Sequence, residues 1–324
     1  MATPEAPERR FRYLTRDGAK NIQHYKYSGS DASLLYNHVI SPSAQWLVDN
    51  VIPESLAPNA ITISGLGLVI FSHVCMLWFS PNMSEEAPRW VACTFASTVM
   101  AGPTYWSMLI FLSPAMVFFM ATWEEYYTGT LALPIINGPN EGLAIMYSCY
   151  FATANVFLPT LRNNEAFVIL LFVSAVGQSL LSAVIAMRSL NRKRDSIPAL
   201  LGITPFAALL GLSALWVLWS PSDIFVDHPR LIMWTVGLIF AKMAMHMMLA
   251  HMCEEPFWLL RKTFAIQLAV ASLLVIGIVP WGHEKLVAEL FFVLALGAYL
   301  HMVYFMVIEL AELLDIYVFK VKKR

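Results

Sequence analysis

Charge is scarce in this chain, and the scarcity decides its class. Asp, Glu, Lys and Arg make up 13% of 324 residues against 58% hydrophobic, where soluble domains carry roughly one quarter charged residues. A water-soluble globular enzyme is excluded by that balance. A nucleic-acid partner is excluded as well, because a net charge of −1 offers no basic field to a phosphate backbone. There is no Gly-x-x-x-x-Gly-Lys loop, no Gly-x-Ser-x-Gly elbow and no His-Glu-x-x-His pair, which removes the commonest nucleotide-binding, hydrolase and zinc-protease signatures. The four cysteines, Cys75, Cys93, Cys149 and Cys253, lack metal-ligand spacing and read as small side chains rather than disulfides or a zinc site. The apolar segments also hold no cluster of aspartates, the oxygen-rich arrangement that Mg²⁺ requires.

What the chain does have is long uncharged runs. Taking about twenty residues as the length that crosses hydrocarbon, spans are expected at 61–80, 104–122, 142–161, 166–187, 197–220, 231–252, 263–280 and 286–308. This makes an all-α, polytopic transmembrane helical bundle of about eight spans. The basic clusters orient it. Arg188, Arg192, Lys193, Arg194, Arg261 and Lys262 fall in connections on one side, and the basic N-terminal region and Lys320 to Arg324 fall on the same side. Both termini are therefore expected in the cytosol. The organisation is a cytosolic N-terminal region (1–57), whose Leu34, Leu35, Val39, Ile40, Trp46, Leu47 and Val51 fit short interfacial helices, then a transmembrane domain (58–308) and a basic cytosolic tail (309–324). Arg162-Asn163-Asn164-Glu165 reads as a tight turn between two spans.

Candidate chemistry concentrates at 121–142, the most polar and turn-rich stretch in the apolar part. Trp123, Glu124, Glu125, Tyr126 and Tyr127 place two carboxylates among aromatic rings, a combination suited to a cationic ligand. An interfacial connector rich in Trp and Tyr explains the same composition. Ionisable residues at membrane depth are further candidates. Lys242, His246 and His251 share roughly one helical face, as phosphate contacts or as packed and snorkelling groups. His73 reads as an interhelical hydrogen bonder, and His301 as facing a partner helix. Glu309, Glu312 and Asp315 read as a solvated helix continuation, and the methionines of 243–252 as packing.

Four stretches carry a family resemblance: His24-Tyr25-Lys26-Tyr27-Ser28-Gly29-Ser30-Asp31, Pro58-Asn59-Ala60-Ile61-Thr62, the 121–142 stretch ending in Asn137-Gly138-Pro139-Asn140-Glu141-Gly142, and Ala250-His251-Met252-Cys253-Glu254-Glu255-Pro256. Together they resemble the eukaryotic choline/ethanolamine phosphotransferases of the CDP-alcohol phosphotransferase family, most closely the plant-type aminoalcoholphosphotransferases, over nearly the whole chain. Glu125 stands where the resemblance leads one to expect a histidine. The resemblance implies an integral membrane enzyme of the endoplasmic reticulum or Golgi that transfers phosphoethanolamine or phosphocholine from its CDP-alcohol to diacylglycerol, using Mg²⁺ or Mn²⁺. It places Asn59 and Thr62 near the nucleotide or phosphate, although they could equally cap a helix. Trp123, Glu124, Tyr126 and Tyr127 would belong to the alcohol headgroup region. The basic tail resembles an endoplasmic-reticulum retrieval signal, and binding to anionic lipid explains it equally well.

The family's signature, Asp-Gly-x-x-Ala-Arg-x8-Gly-x3-Asp-x3-Asp, is missing. The one Asp-Gly pair, Asp17-Gly18, is followed at the required offsets by Asn21, Ile22, Leu35 and Val39. Pro88-Arg89-Trp90-Val91 runs almost directly into Phe95-Ala96-Ser97, where the family carries the signature. An internal deletion of the motif and about two spans is expected, each span needing about twenty residues. No catalytic or metal-binding residue is assigned, and the absent aspartates count against a bound divalent ion. The expected reading is a phospholipid-synthesis family member that is inactive in this form. The alternative is a non-catalytic lipid-binding or regulatory membrane protein associating with an intact paralogue; the expected partners are membrane lipids, CDP-alcohol and diacylglycerol by resemblance, and a second chain in a homo- or hetero-dimer.

Overall fold

The computed structural model describes residues 12–81, 104–133, 162–190, 193–257 and 280–320, with a few single positions between them. Its helices are α1 (Arg16–His24), α2 (Ser41–Asn50), α3 (Pro58–Phe79), α4 (Tyr105–Thr128), α5 (Arg162–Ser189), α6 (Lys193–Leu201), α7 (Thr204–Trp219), the single turn α8 (Ile224–Asp227), α9 (Pro229–Met252) and α10 (Glu284–Leu313). Two three-residue strands, β1 (Gly29–Asp31) and β2 (Leu131–Leu133), pair in parallel. Six helical stretches are long and apolar enough to cross a bilayer: Pro58–Phe79, Tyr105–Thr128, Val168–Ser189, Ile197–Trp219, Pro229–Met252 and Glu284–Leu313. The chain is thus an all-α polytopic membrane protein. The two other expected spans, 142–161 and 263–280, fall almost wholly outside the described residues.

Several boundaries differ from the sequence expectation, each for a physical reason. The second span was expected to stop at Thr122, before the charges, but α4 continues to Thr128 and ends at Gly129, whose φ of +73° provides the left-handed cap. Glu124 and Glu125 do not end the helix because the bundle buries them, at 5% and 9% exposure. Arg162 to Glu165 are not a turn but the start of α5. The expected span 197–220 is two helices broken at Gly202 and Ile203, with Pro205 opening α7. An added Cβ on Gly202 would sit 2.9 Å from the Ala199 carbonyl oxygen and 3.3 Å from the Trp123 indole nitrogen, so the break lets the chain pass close to α4.

α4 is the central helix, packing on α5, α7 and α9, while α9 also packs on α10. Lipid is as apolar as leucine, so such a bundle is held by close packing and interhelical hydrogen bonds rather than by escape from water. Phe119 stacks on Phe206 with ring centroids 4.3 Å apart. Trp123, fully buried, donates from its indole N–H to the Ala199 carbonyl at 3.1 Å. Met243 and Met247 belong to the same core, as expected. His73 accepts from the Trp234 indole at 3.0 Å and ties α3 to α9, also as expected. Arg230 donates to the carbonyls of Ser80 and Pro81, just past the end of α3.

The start of the described chain is strapped across the ends of α9 and α10. Glu309, expected to be solvated, is buried and accepts from three successive backbone N–H groups, those of Arg12 (2.7 Å), Tyr13 (3.1 Å) and Leu14 (3.3 Å). A carboxylate satisfied in this way can leave water at little cost. Glu312 and Asp315 are exposed, as expected. Among the described residues, the partner of His301 is the N-terminal segment: its Nδ1 pairs with the Tyr13 hydroxyl at 2.7 Å, while the Arg12 guanidinium lies 4.0 Å over the Phe305 ring. Thr15 caps α1 by accepting from Gly18 N–H at 3.0 Å and donates to Glu255. Residues 12–25 and 309–320 consequently lie at the end of the bundle where α4 and α9 finish. Between β1 and α3, a π-helical turn (Tyr36–Ile40) and α2 leave Leu34, Val39, Ile40, Trp46, Leu47, Val48 and Val51 exposed.

Candidate functional site

Three of the four stretches singled out in the sequence converge at this end. β1 lies beside β2 in register, Gly29 opposite Leu131 and Asp31 opposite Leu133, which joins the 24–31 stretch to the 121–142 stretch. The α9 stretch arrives through its C-terminal turn. There the Glu255 N–H bonds the Ala250 carbonyl at 2.9 Å and the Glu254 N–H bonds the His251 carbonyl at 3.1 Å, the double bond pattern of a Schellman cap. Glu254 holds the left-handed position with φ of +53°, a conformation costing a non-glycine residue roughly 1–2 kcal/mol. That turn carries Glu255 back over α1. Asn21 donates to the Cys253 carbonyl at 2.8 Å, and a Cβ on Gly18 would run into Glu255 and approach Cys253 Cβ to 3.0 Å.

At the centre of the convergence, His251 Nε2 lies 3.7 Å from Glu125 Oε1, their side chains 15% and 12% exposed. The Tyr25 ring meets the imidazole edge-on at a centroid separation of 5.7 Å, and the Tyr126 ring lies at 6.4 Å. The Tyr126 hydroxyl donates to the Glu255 carbonyl at 2.7 Å and accepts from the Phe257 N–H at 3.1 Å, which fixes its ring. Tyr127 packs edge-on between Trp123 and Tyr126 at 5.2 and 4.9 Å. Glu124 is hydrogen-bonded to Ser182 of α5. Burial, then the Glu125 charge, then Tyr27 push the Tyr25 hydroxyl above its ordinary pKa.

The expected site residues divide sharply. Tyr126 and Tyr127 are at the convergence and Glu124 borders it, but Trp123 is a core side chain with no exposed surface, so its indole is not offered to a ligand. Asn59 and Thr62 are exposed on the first turn of α3, where Asn59 donates to the Val318 carbonyl at 2.9 Å and Thr62 to the Pro58 carbonyl at 3.2 Å. These bonds join α3 to the C-terminal segment rather than to the α4 cluster. Lys242 and His246 are buried within α9; His246 stacks on Tyr13 at 6.1 Å, well along the helix from His251. Sequence reasoning passed over Tyr25, Glu125, His251 and Glu255 as a group. The signal was present only as separate motifs, since nothing in one dimension pairs α4 with the α9 cap.

Cys253 is buried beneath α1, and burial together with the Glu255 charge pushes its thiol from 9.0 up to about 11. The reactive thiolate is then about a hundredfold scarcer at pH 8. In protein carrying Ser at 75, 93 and 149, Cys253 is expected to label with iodoacetamide about a hundredfold more slowly than an exposed cysteine at pH 8, and at the ordinary rate after denaturation. Native labelling at the ordinary rate would contradict the packing of α1.

Among the described residues, no group of three His, Cys, Asp or Glu side chains is arranged to hold a metal ion. Asp17, of the lone Asp-Gly pair, sits in the first turn of α1 and pairs with Lys20 at 3.2 Å. The residues present there do not form a divalent-ion site.

No family model matches the chain. It is similar to choline/ethanolaminephosphotransferase 1 of Arabidopsis thaliana, 28% identical over 390 aligned residues, covering 96% of this chain and 99% of the relative. It is also similar to choline/ethanolaminephosphotransferase 1 of Saccharomyces cerevisiae, 24% identical with 94% and 96% covered. Ethanolaminephosphotransferase 1 of Mus musculus is 25% identical, with 97% and 96% covered. The homologues of this chain are thus phosphotransferases of phospholipid synthesis.

Proposed function

We propose that this chain is a CDP-alcohol phosphotransferase homologue of the endoplasmic reticulum or Golgi that retains the headgroup side of the site but has lost the catalytic half. The intact reaction would transfer phosphoethanolamine or phosphocholine from the CDP-alcohol to diacylglycerol and release CMP. One observation carries the reading. Ninety-six per cent of 324 residues is about 311, against an aligned length of 390, so about 79 aligned positions of the Arabidopsis relative have no counterpart here. That is room for a motif and two spans of about twenty residues each. The sequence offers the place for the loss, between Val91 and Phe95, and contains no aspartate signature anywhere. Without oxygen ligands, the two-metal clamp that neutralises a diphosphate has nothing to hold it. With an even number of spans removed, both termini stay on the cytosolic side, and 34–51 lies in the interface.

The test is Mg²⁺- or Mn²⁺-dependent CMP release from CDP-ethanolamine and CDP-choline with diacylglycerol, using the purified full chain. Release at background is expected; steady turnover would overturn the reading. Sequencing the locus between the codons for Val91 and Phe95 separates a skipped exon from a true loss. A second reading is a non-catalytic regulator bound to an intact paralogue. Co-purification of the two chains would support it.

A further inference from the structure

We propose that Thr15 is a phosphorylation site for an arginine-directed protein kinase, and that its phosphate unseats α1 from the cap of α9. The sequence Arg9-Arg10-Phe11-Arg12-Tyr13-Leu14-Thr15-Arg16 places arginines three, five and six residues before a hydroxyl. Arginine forks pair bidentately with carboxylates, so a kinase with acidic residues along its peptide groove recognises such a spacing; charge patterns of this kind match kinases to their substrates. Arg12, Thr15 and Arg16 are all exposed, and Thr15 has the extended backbone of a groove-bound peptide, with φ −85° and ψ 169°. In the transfer, Thr15 Oγ1 bonds to the γ-phosphorus of ATP while the bond from that phosphorus to the β,γ-bridging oxygen breaks. ADP leaves, and the hydroxyl proton passes to a carboxylate of the kinase. The proposal goes beyond the headgroup-transfer reading and needs only the cytosolic N-terminal region that accompanies it.

What the hydroxyl touches decides the effect. Thr15 donates to the Glu255 carboxylate and accepts from the Gly18 N–H at 3.0 Å. The first of these bonds seats α1 on α9, together with the Asn21 bond to the Cys253 carbonyl at 2.8 Å. Phosphorylation replaces the donated proton with a group carrying about −1.5 to −2 charges at pH 7 and three strong acceptor oxygens. A donor and its acceptor become two anions in contact. The seat has no slack to separate them, because even a Cβ added at Gly18 would run into Glu255. Negative charge at the start of a helix is itself favourable, so α1 persists as a helix while its place on the α9 cap is lost. Arg12 is already engaged, its guanidinium over Phe305 and its Nη1 3.5 Å from His301 Nε2; a phosphate that recruits it draws the strap off α10. The backbone N–H groups of Arg12, Tyr13 and Leu14 are held by Glu309, so the kinase takes the segment as it lifts, and the phosphate keeps it from reseating.

Cys253 reports whether α1 is seated, since it is buried in one cluster with Leu14 and Ile22. The purified full chain in detergent, carrying Ser at 75, 93 and 149, is treated with an arginine-directed kinase, protein kinase B, and Mg-ATP. Mass spectrometry locates the phosphate, and alkylation of Cys253 by iodoacetamide is timed at pH 8. Phosphate at Thr15 is expected, and the phosphorylated fraction should label at least about tenfold faster than the unmodified chain. A phosphate that left α1 in place would act the other way, because nearby negative charge disfavours the thiolate. Thr15→Asn, whose amide can keep both side-chain bonds, should take up no phosphate at that position and label slowly. In Glu255→Gln, whose amide can donate to the phosphate, phosphorylation should leave labelling slow. The proposal is overturned if Thr15 of the folded chain takes no phosphate while a synthetic peptide of residues 9–20 does. It is overturned equally by phosphorylation that leaves labelling unchanged or slower, or by acceleration that persists in Glu255→Gln. Detergent opens both sides of the protein to the kinase and no CDP-alcohol is present. Failure here therefore leaves the earlier reading standing, and CMP release by the unaltered chain leaves this one standing.

Discussion

On the proposed loss between Val91 and Phe95, inserting there the aspartate-bearing stretch of the Arabidopsis relative should raise Mg²⁺-dependent CMP release at least about 10³-fold above background. The size follows from what the insertion would return. A metal clamp on transferring phosphates supplies several kcal/mol of transition-state stabilisation, and each 1.36 kcal/mol is tenfold in rate, so about 4 kcal/mol suffices. The rest of the site needs little rebuilding. β1 is already paired with β2, the Tyr126 hydroxyl is already bonded to the Glu255 carbonyl, and α1 is already seated on the α9 cap. A chimera that is monodisperse and helical but silent would show that divergence has spread beyond the missing stretch, with Glu125 the first residue to revert to histidine.

How much of this was legible beforehand depended on whether a feature is local along the chain. Composition gave the class, and six of the uncharged runs coincide with membrane-length helical stretches, one of them broken at Gly202 and Ile203, because length and apolarity are read from neighbours in sequence. The errors fell where charge was taken to mean water. Glu124 and Glu125 were taken to end a span, and Glu309 to be solvated. In each case residues from remote segments bury the carboxylate: Ser182 at Glu124, His251 facing Glu125, and the backbone N–H groups of Arg12, Tyr13 and Leu14 bonded to Glu309. No periodicity reports such pairings. The same holds for the candidate site. Tyr126 and Tyr127 were singled out from local composition, whereas the facing His251 and Tyr25 lie 125 and 101 positions from Tyr126 in sequence. Trp123 erred in the other direction: an aromatic residue beside carboxylates looks like a ligand wall, yet its indole N–H is spent on the Ala199 carbonyl.

Glu284, passed over in the sequence beside the exposed Glu289, should prove a costly side chain to remove for stability. It lies in the first turn of α10, at 1% exposure, and each carboxylate oxygen accepts two bonds. Oε1 receives the Trp216 indole N–H at 3.2 Å and the Ser220 hydroxyl at 2.8 Å; Oε2 receives the Ser222 N–H at 3.1 Å and the Ser222 hydroxyl at 2.5 Å. All four acceptor positions of the group are thus used, and they hold the α7–α8 turn against α10 at the end opposite the candidate site. Glu284→Ala leaves four donors facing a void, each unsatisfied buried group costing about 1–3 kcal/mol before relaxation. Allowing the serines to turn towards other acceptors, a net loss of about 3–5 kcal/mol is expected, the range for breaking a buried charged network. Glu284→Gln keeps one oxygen and replaces the other with an amide that can only donate, so two of the four donors lose their acceptor and about half the loss should remain. Thermal unfolding of the detergent-solubilised variants should therefore rank the unaltered chain above Gln above Ala. Equal midpoints for Ala and the unaltered chain would show that this carboxylate does not hold the far end of the bundle together.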